Sequence, residues 1–303
     1  MSLKIHHQGP HDQISDENYR QVARLLYDLS GIHLPVGKSA MVSSRLARCL
    51  RGTKIPSIDA FCKLLSNPEN LAAREKFVSA LTTNTTQFHR EAHHFDYLRA
   101  QILPDLITRA RVGGRVRIWS AGCSSGEEAY GLAFQCLDLG GRNPLGDLRI
   151  LATDIDRHTL ARARDGIYPA AALRPLPASQ ATAYFTRINT GNMVSVSDRP
   201  RALVSFRHLN LKADWPISGN FDVIFCRNVA IYFDEQVQTR LWRRLCDRIS
   251  PGGAIFIGHS EHIPEEITGD FHVVGNGIFR RKGSGPSRPE QTLKKEKSHE
   301  LEG

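Results

Sequence analysis

No C-x-x-C pair occurs in this chain: its six cysteines, Cys49, Cys62, Cys123, Cys136, Cys226 and Cys246, are scattered. That spacing argues against structural zinc and for reduced thiols, and no metal is expected. No apolar run approaches the ~20 residues that a membrane span requires. The polar N-terminal stretch lacks the pattern of a signal peptide, so a cytoplasmic location without membrane insertion is expected. The one glycine-punctuated loop that opens a helix, residues 122–126, lacks the G-x-G-x-x-G that cradles a pyrophosphate and the Gly-Lys-Ser/Thr of a triphosphate site. There is no obvious Ser/His/Asp or Cys/His set for nucleophilic catalysis. Acidic charge is in the minority, the formal balance being +9, which implies an acidic partner: nucleic acid, a membrane surface or an acidic protein.

What is present begins with RVRIWSAGCSSGEEAY, residues 115–130. Val116, Ile118 and Trp119 form a short apolar run of strand type. Gly122 and Gly126 bracket small residues, and Glu127 and Glu128 stand in a helix first turn, where carboxylates suit the positive end of the dipole. Such a strand-loop-helix lets a ligand approach the backbone closely. Two acids at its mouth would repel phosphate oxygens and suit a cationic ligand or one rich in amine and hydroxyl donors. S-adenosylmethionine (AdoMet), with a sulfonium, an ammonium and two ribose hydroxyls, has that chemistry. A tight turn in any α/β domain would have the same pattern.

At 303 residues with 41% hydrophobic content, the chain has room for two domains. Residues 1–14 are polar and expected to be flexible. Residues 15–85 carry helical periodicity: Val22, Leu25, Leu26 and Leu29 after a Ser15-Asp16-Glu17 cap, then Val42, Leu46, Cys49 and Leu50, then helices over about 57–66 and 69–82. Arg45, Arg48 and Arg51 fall opposite the second stripe and form either a solvated face or a docking face for an acidic partner. A polar run, Thr82 to Thr86, precedes Phe88 and Arg90, and is more than one helix cap requires. A linker helix is expected over 86–111. From 112 to 282, strands and helices alternate, the mark of a parallel sheet with crossover helices. Asp154 ends the second strand, where ribose hydroxyls lie in nucleotide-type folds. Residues 184–208 break the rhythm, and two short strands there predict a small antiparallel β-lobe. FDVIFCRNVAIYF, 221–233, predicts a central strand covered on both faces. GNG at 275–277 predicts a closing hairpin. Residues 283–303 have no apolar period and are expected to be disordered.

These blocks together carry a resemblance. GIHLP (31–35), RLAR (45–48), TTNTTQFHRE (82–91), IWSAGCSSGEEAY (118–130), ATDID (152–156), LNL (209–211), IFCRNVAIYFD (224–234) and GHSE (258–261) resemble, in order, the chemotaxis receptor methyltransferases of the CheR type. The resemblance implies a doubly wound α/β AdoMet-dependent methyltransferase sheet with a small N-terminal all-α domain and an inserted antiparallel lobe. It implies methyl transfer from AdoMet to glutamate carboxylates on the cytoplasmic helices of chemoreceptors, giving methyl esters and S-adenosylhomocysteine (AdoHcy). It places Asn84, Thr86, Arg90, Glu128, Asp154, Asn210, Leu211, Arg227 and Asn228 against the cofactor, with Tyr232 near the transferred methyl. His89, Ala129 and Ala230 depart from the usual residues. In some members the β-lobe holds a pentapeptide of the receptor; here its turn is short and carries only Gly191, which argues against tethering.

The chemistry agrees with the missing catalytic set. A glutamate, with a reference pKa near 4.3, is already ionised at neutral pH, so it needs no general base. Anion meets sulfonium and charge disappears in the transition state, so a cation held on the attacking oxygen would favour the ground state. Arg90 is therefore expected to orient rather than activate, with alignment supplying most of the rate. A nucleic-acid amino-methyltransferase would need an (Asp/Asn/Ser)-Pro-Pro-(Tyr/Phe) turn at 227–229, where no proline occurs. No nucleic-acid partner is expected, and the chain is expected to act as a monomer. A catalytically inactive receptor-binding adaptor is the alternative from a different class.

Overall fold

The computed structural model describes residues 14–188 and 192–283. The expectations for residues 1–13, for the tail from 284 and for Gly191 concern residues outside that range.

Four helices follow the apolar stripes of the first part of the chain: α1 (Asp16–Ser30), α2 (Ser39–Leu50), α3 (Ile58–Ser66) and α4 (Leu71–Leu81). Ser15 caps α1 by accepting from Asn18 N–H at 3.2 Å, and Gly31 ends it at φ 81°. Val22, Leu26, Val42, Leu46, Phe61 and Phe77 are wholly buried and close a core of their own. The linker comprises α5 (Ala92–Tyr97), one π turn over 98–102, and α6 (Leu103–Arg111), where Pro104 occupies the first turn that lacks N–H partners anyway.

The second unit is built on β1 (Arg115–Ala121), followed by α7 (Glu127–Gly140), β2 (Asp147–Asp154), α8 (Arg157–Asp165), β3 (Ile167–Pro169), α9 (Ala178–Tyr184), β4 (Phe185–Ile188), β5 (Met193–Val196), α10 (Asp198–Leu203), β6 (Val204–His208), β7 (Phe221–Cys226), α11 (Glu235–Asp247), β8 (Ile249–Ile257), β9 (Phe271–Gly275) and β10 (Ile278–Arg281). The main sheet has the order β6-β2-β1-β7-β8-β10-β9. Strands β6, β2, β1, β7 and β8 are parallel, and β10 runs antiparallel between β8 and β9. This is the doubly wound sheet closed by a hairpin that the sequence predicts. Every residue of β7 is buried, as its unbroken apolar run requires. Phe225 on it stacks on Phe256 of β8, centroids 4.3 Å apart. The chain crosses from β1 to β2 on one side and returns to β7 on the other, so a crevice opens between the carboxyl ends of β1 and β7.

The lobe corrects the expectation for residues 184–208. Its three strands are β3, β5 and β4, paired antiparallel in that order, and β3 lies upstream of the predicted range. Val204–His208 is not part of it: β6 pairs in parallel with β2, from Ile150↔Val204 to Asp154↔His208, at the edge of the main sheet. Asp198-Arg199-Pro200, whose composition is that of a turn, is instead the first turn of α10, where Pro200 costs no helical hydrogen bond. The lobe is pinned through Phe88, whose ring meets Tyr168 (5.1 Å) and Phe185 (5.6 Å) edge-on, and through Tyr184, stacked on Phe134 at 4.8 Å.

Candidate active site

The crevice is a cleft enclosing about 880 Å³ of non-atom space, part of it open to solvent. That is the size of a small-molecule pocket. Its walls include every residue the sequence singled out for cofactor or methyl: Asn84, Thr86, Arg90, Glu128, Asp154, Asn210, Leu211, Arg227, Asn228 and Tyr232. Gly122 forms part of the floor at φ +81°, and a Cβ there would run into the Val229 side chain. The loop after β1 and the turn after β7 can touch because this residue has no side chain.

Asp154 ends β2 buried in the cleft, with its carboxylate fixed at both oxygens. Oδ2 accepts from Ser124 N–H at 2.8 Å and Oδ1 from Asp156 N–H at 2.9 Å. Burial raises its pKa above the ordinary carboxylate value, against those two donors. A carboxylate has about four acceptor sites, so these donors do not exhaust it. Glu128 also lines the cleft, but Glu127 does not: it accepts from Ser125 Oγ at 2.7 Å, and burial raises its pKa. Successive helical residues point some 100° apart, so only one of the pair faces the ligand space.

Glu128 is in turn held by Ser120 Oγ (2.7 Å, donated to Oε1) and by Arg227 Nε (2.8 Å, donated to Oε2). Arg227 is almost wholly buried. Its Nη1 donates to Arg90 O at 2.6 Å and faces His94 Nδ1 at 3.1 Å, with Glu91 Oε2 at 3.7 Å. It is thus a clamp behind the cleft wall, tying α7, the Arg90–His94 segment and β7 together. The guanidinium of Arg90, by contrast, donates to Thr85 O at 3.2 Å, and Arg90 lines the cleft.

Asn84 and Asn210 line the cleft, but their side-chain amides are spent on structure. Asn84 Nδ2 donates to Asp156 Oδ2 (2.6 Å) and Thr159 Oγ1 (2.9 Å). Asp156 itself caps α8; burial opposes its ionisation, yet bonds from Thr159 and its other donors hold its pKa below the ordinary value. Asn210 Nδ2 donates to Leu29 O at 2.7 Å, and Lys212 Nζ to Tyr27 O at 2.6 Å, so two side chains satisfy the last carbonyls of α1. His33 N–H donates to Tyr232 O at 2.8 Å beside the Ile32↔Phe233 bridge. Ser30 and Ile32 of the helical domain therefore close one side of the cleft, which the sequence did not foretell; GIHLP read only as a family block. Of the arginine row, Arg45 is turned inward, donating to Leu81 O (2.8 Å) and Thr82 O (3.0 Å), while Arg48 and Arg51 are exposed.

His94 sets an acid limit on this site. Its Nε2–H donates to Asn276 O at 2.9 Å, which leaves Nδ1 as acceptor for Arg227. Burial, with Arg227 adding to it, lowers its pKa from 6.5 to about 4. A group whose folded pKa is depressed in this way takes up protons preferentially when unfolded. The stability it contributes is complete above about pH 6.5 and drains as pH falls toward 4, by ~1.4 kcal/mol per pH unit. Urea midpoints measured from pH 7 to 4.5 should fall accordingly, and His94→Gln should flatten the decline; an unchanged slope in the variant would assign the acid sensitivity elsewhere.

The donor set fits AdoMet. It offers carboxylate acceptors and no phosphate cradle, and in the cleft wall Asn228 Oδ1 is buried without a hydrogen-bond partner among the described residues, an acceptor left unsatisfied.

Comparison with known proteins bears on the same residues. The family described as "CheR methyltransferase, all-alpha domain" matches residues 17–82, and that described as "CheR methyltransferase, SAM binding domain" matches residues 84–279. A probable chemotaxis protein methyltransferase of Rhizobium etli is 41% identical over 266 residues, covering 87% of this chain and 99% of the relative. Chemotaxis protein methyltransferase 2 of Pseudomonas aeruginosa is 42% identical over 252 residues, 81% of this chain and 86% of the relative. The Escherichia coli chemotaxis protein methyltransferase is 38% identical over 270 residues, 88% and 91%.

Proposed function

The chain belongs to the CheR methyltransferase family, and we propose that its cleft transfers the methyl group of AdoMet to glutamate side-chain carboxylates of chemoreceptors, forming methyl esters, with these residues in the following roles. The observation that supports the roles most directly is the convergence of Asp154, Glu128, Asn228 and Arg90 on one cleft at the carboxyl edge of β1, β2 and β7. Bound there, AdoMet supplies an electrophilic methyl on a sulfonium. Asp154 accepts the ribose hydroxyls with the lone pairs its backbone donors leave free. Glu128 accepts from the amine end, and Asn228 and Leu211 line the cleft alongside. Asn84, Thr86 and Asn210 hold the walls. Arg227 holds Glu128 in place, through the pair at 2.8 Å. Tyr232 lies near the transferred methyl.

Arg90, which lines the cleft and donates to Thr85 O, orients either the carboxylate oxygen that does not attack or the cofactor. Hydrogen bonds to a charged group are worth ~1.5–3 kcal/mol, so Arg90→Ala should lower kcat/KM on a receptor fragment roughly 10- to 100-fold. Unchanged turnover would remove Arg90 from the mechanism. Arg48 and Arg51 form the exposed docking face for the acidic receptor helix, with Arg45 fixing α2 to the cleft rim. The enzyme acts as a cytoplasmic monomer. No helix among the described residues is long and apolar enough to cross a membrane.

A further inference from the structure

The turn that closes β7 carries Arg227, Asn228 and Val229 into the cleft and leads to Tyr232, and its shape is set by a carboxylate far downstream. Glu261, in the GHSE block after β8, accepts four backbone N–H groups. Oε2 takes those of Asn228 (2.7 Å) and Gly258 (2.7 Å), and Oε1 those of Val229 (2.9 Å) and Ala230 (2.7 Å). An ionised carboxylate has about four acceptor sites and no donor, and all four are used here. Asn228 sits at φ 59°, in the left-handed region that a residue with a side chain seldom occupies unless its surroundings impose it. With Glu261 in place, three successive N–H groups are turned onto one carboxylate, and Asn228 is held in the cleft wall with its Oδ1 buried and without a hydrogen-bond partner among the described residues. Close packing adds to this. A Cβ on Gly258 would lie 2.6 Å from Asn228 Nδ2, 2.9 Å from Asn228 N and 2.9 Å from Glu261 Oε2, so the strand can pass this close only as glycine.

We propose that Glu261 is a positioning residue for methyl transfer: its carboxylate clamps the 227–232 turn and thereby holds Asn228 in the cleft wall and Tyr232 beside the transferred methyl. The proposal rests on the AdoMet reading of the cleft. Glu261→Gln is the informative change, because the amide presents N–H to backbone N–H at one end while keeping the size of the side chain. Misplacement by about 1 Å can cost 10²-fold in rate. The variant should therefore lose roughly 30- to 100-fold in kcat on a receptor fragment. Its AdoHcy affinity should change less than about tenfold, since Asp154 and the 122–126 loop are untouched. Hydrogen exchange should accelerate at residues 228–230 and 258 and stay unchanged elsewhere. Gly258→Ala, which leaves the carboxylate intact but wedges it from the turn, should give the same split and serves also if Glu261→Gln does not fold.

Wild-type protein measured in parallel separates the two levels of the argument. Wild type that neither binds AdoHcy nor methylates would refute the reading of the cleft. An active wild type with a Glu261→Gln or Gly258→Ala variant of equal kcat would refute the clamp. The clamp is refuted equally if activity falls in both variants only in step with the folded fraction, with exchange rising across the whole chain.

Discussion

Arg227→Met should lose about 3–5 kcal/mol of stability and, where still folded, methylate no receptor measurably. The side chain is 3% exposed and spans three elements through Glu128, Arg90 O and His94. It lies 5.5 Å from the ring centroids of both Phe95 and Phe225, so two of its neighbours are apolar and offer nothing to replace it. Removing it leaves the Glu128 carboxylate, 10% exposed, without its cation. Breaking one side of such a pair is costly because an uncompensated charge remains, whereas removing both sides is close to neutral. The double variant Arg227→Met/Glu128→Gln, which keeps the Ser120 hydrogen bond, should accordingly recover most of the stability and none of the activity. Chemical denaturation of the two variants beside wild type checks this; a double variant no more stable than Arg227→Met would mean that the pair is not what Arg227 holds.

Asp154→Ala should weaken AdoHcy binding by on the order of 10² to 10⁴-fold, with a smaller effect on the stability of the chain without ligand. Two hydroxyls donating to one carboxylate contribute ~1.5–3 kcal/mol each, which gives that range. The same substitution releases the N–H groups of Ser124 and Asp156, so the 122–126 loop loses the anchor that shapes it. Asp154→Asn should be nearly as damaging, since its amide N–H₂ must face one of those two donors. Calorimetry giving a wild-type affinity for Asp154→Ala would exclude the ribose assignment.

Both residues were legible from the chain alone, one for physical reasons and the other by likeness. Asp154 stands at the end of an apolar strand a fixed distance after the glycine loop, which is a local pattern. Arg227 was flagged only within a family block, and its partner Glu128 lies on another strand's helix, so its clamp role depends on a contact that no periodicity encodes. Glu127 and Glu128 look equivalent in the sequence; the helical turn separates them. Leu203-Val204-Ser205-Phe206 alternates as a lobe strand would, and nothing local says that β2 is its partner. Asp198-Arg199-Pro200 reads as a turn because proline is judged as a breaker, although a helix tolerates it in the first turn. Arg45 fell on the outer side of α2 by its spacing, and only the path of the Leu81–Thr83 segment turns it inward. Glu261 carried no pattern beyond its block, since its four partners are backbone groups whose identities leave no trace in side chains.

The central claim is that the cleft brings a methyl sulfonium face to face with a carboxylate that is already ionised. The most direct test incubates the protein with methyl-labelled AdoMet and a chemoreceptor cytoplasmic fragment, then treats the product with mild alkali. The account predicts label on the receptor that alkali releases as methanol, as an ester must. Label that survives alkali would place the methyl on nitrogen, and no label at all, with the protein folded and AdoHcy bound, would mean a cofactor site that performs no transfer to this substrate; either result contradicts it.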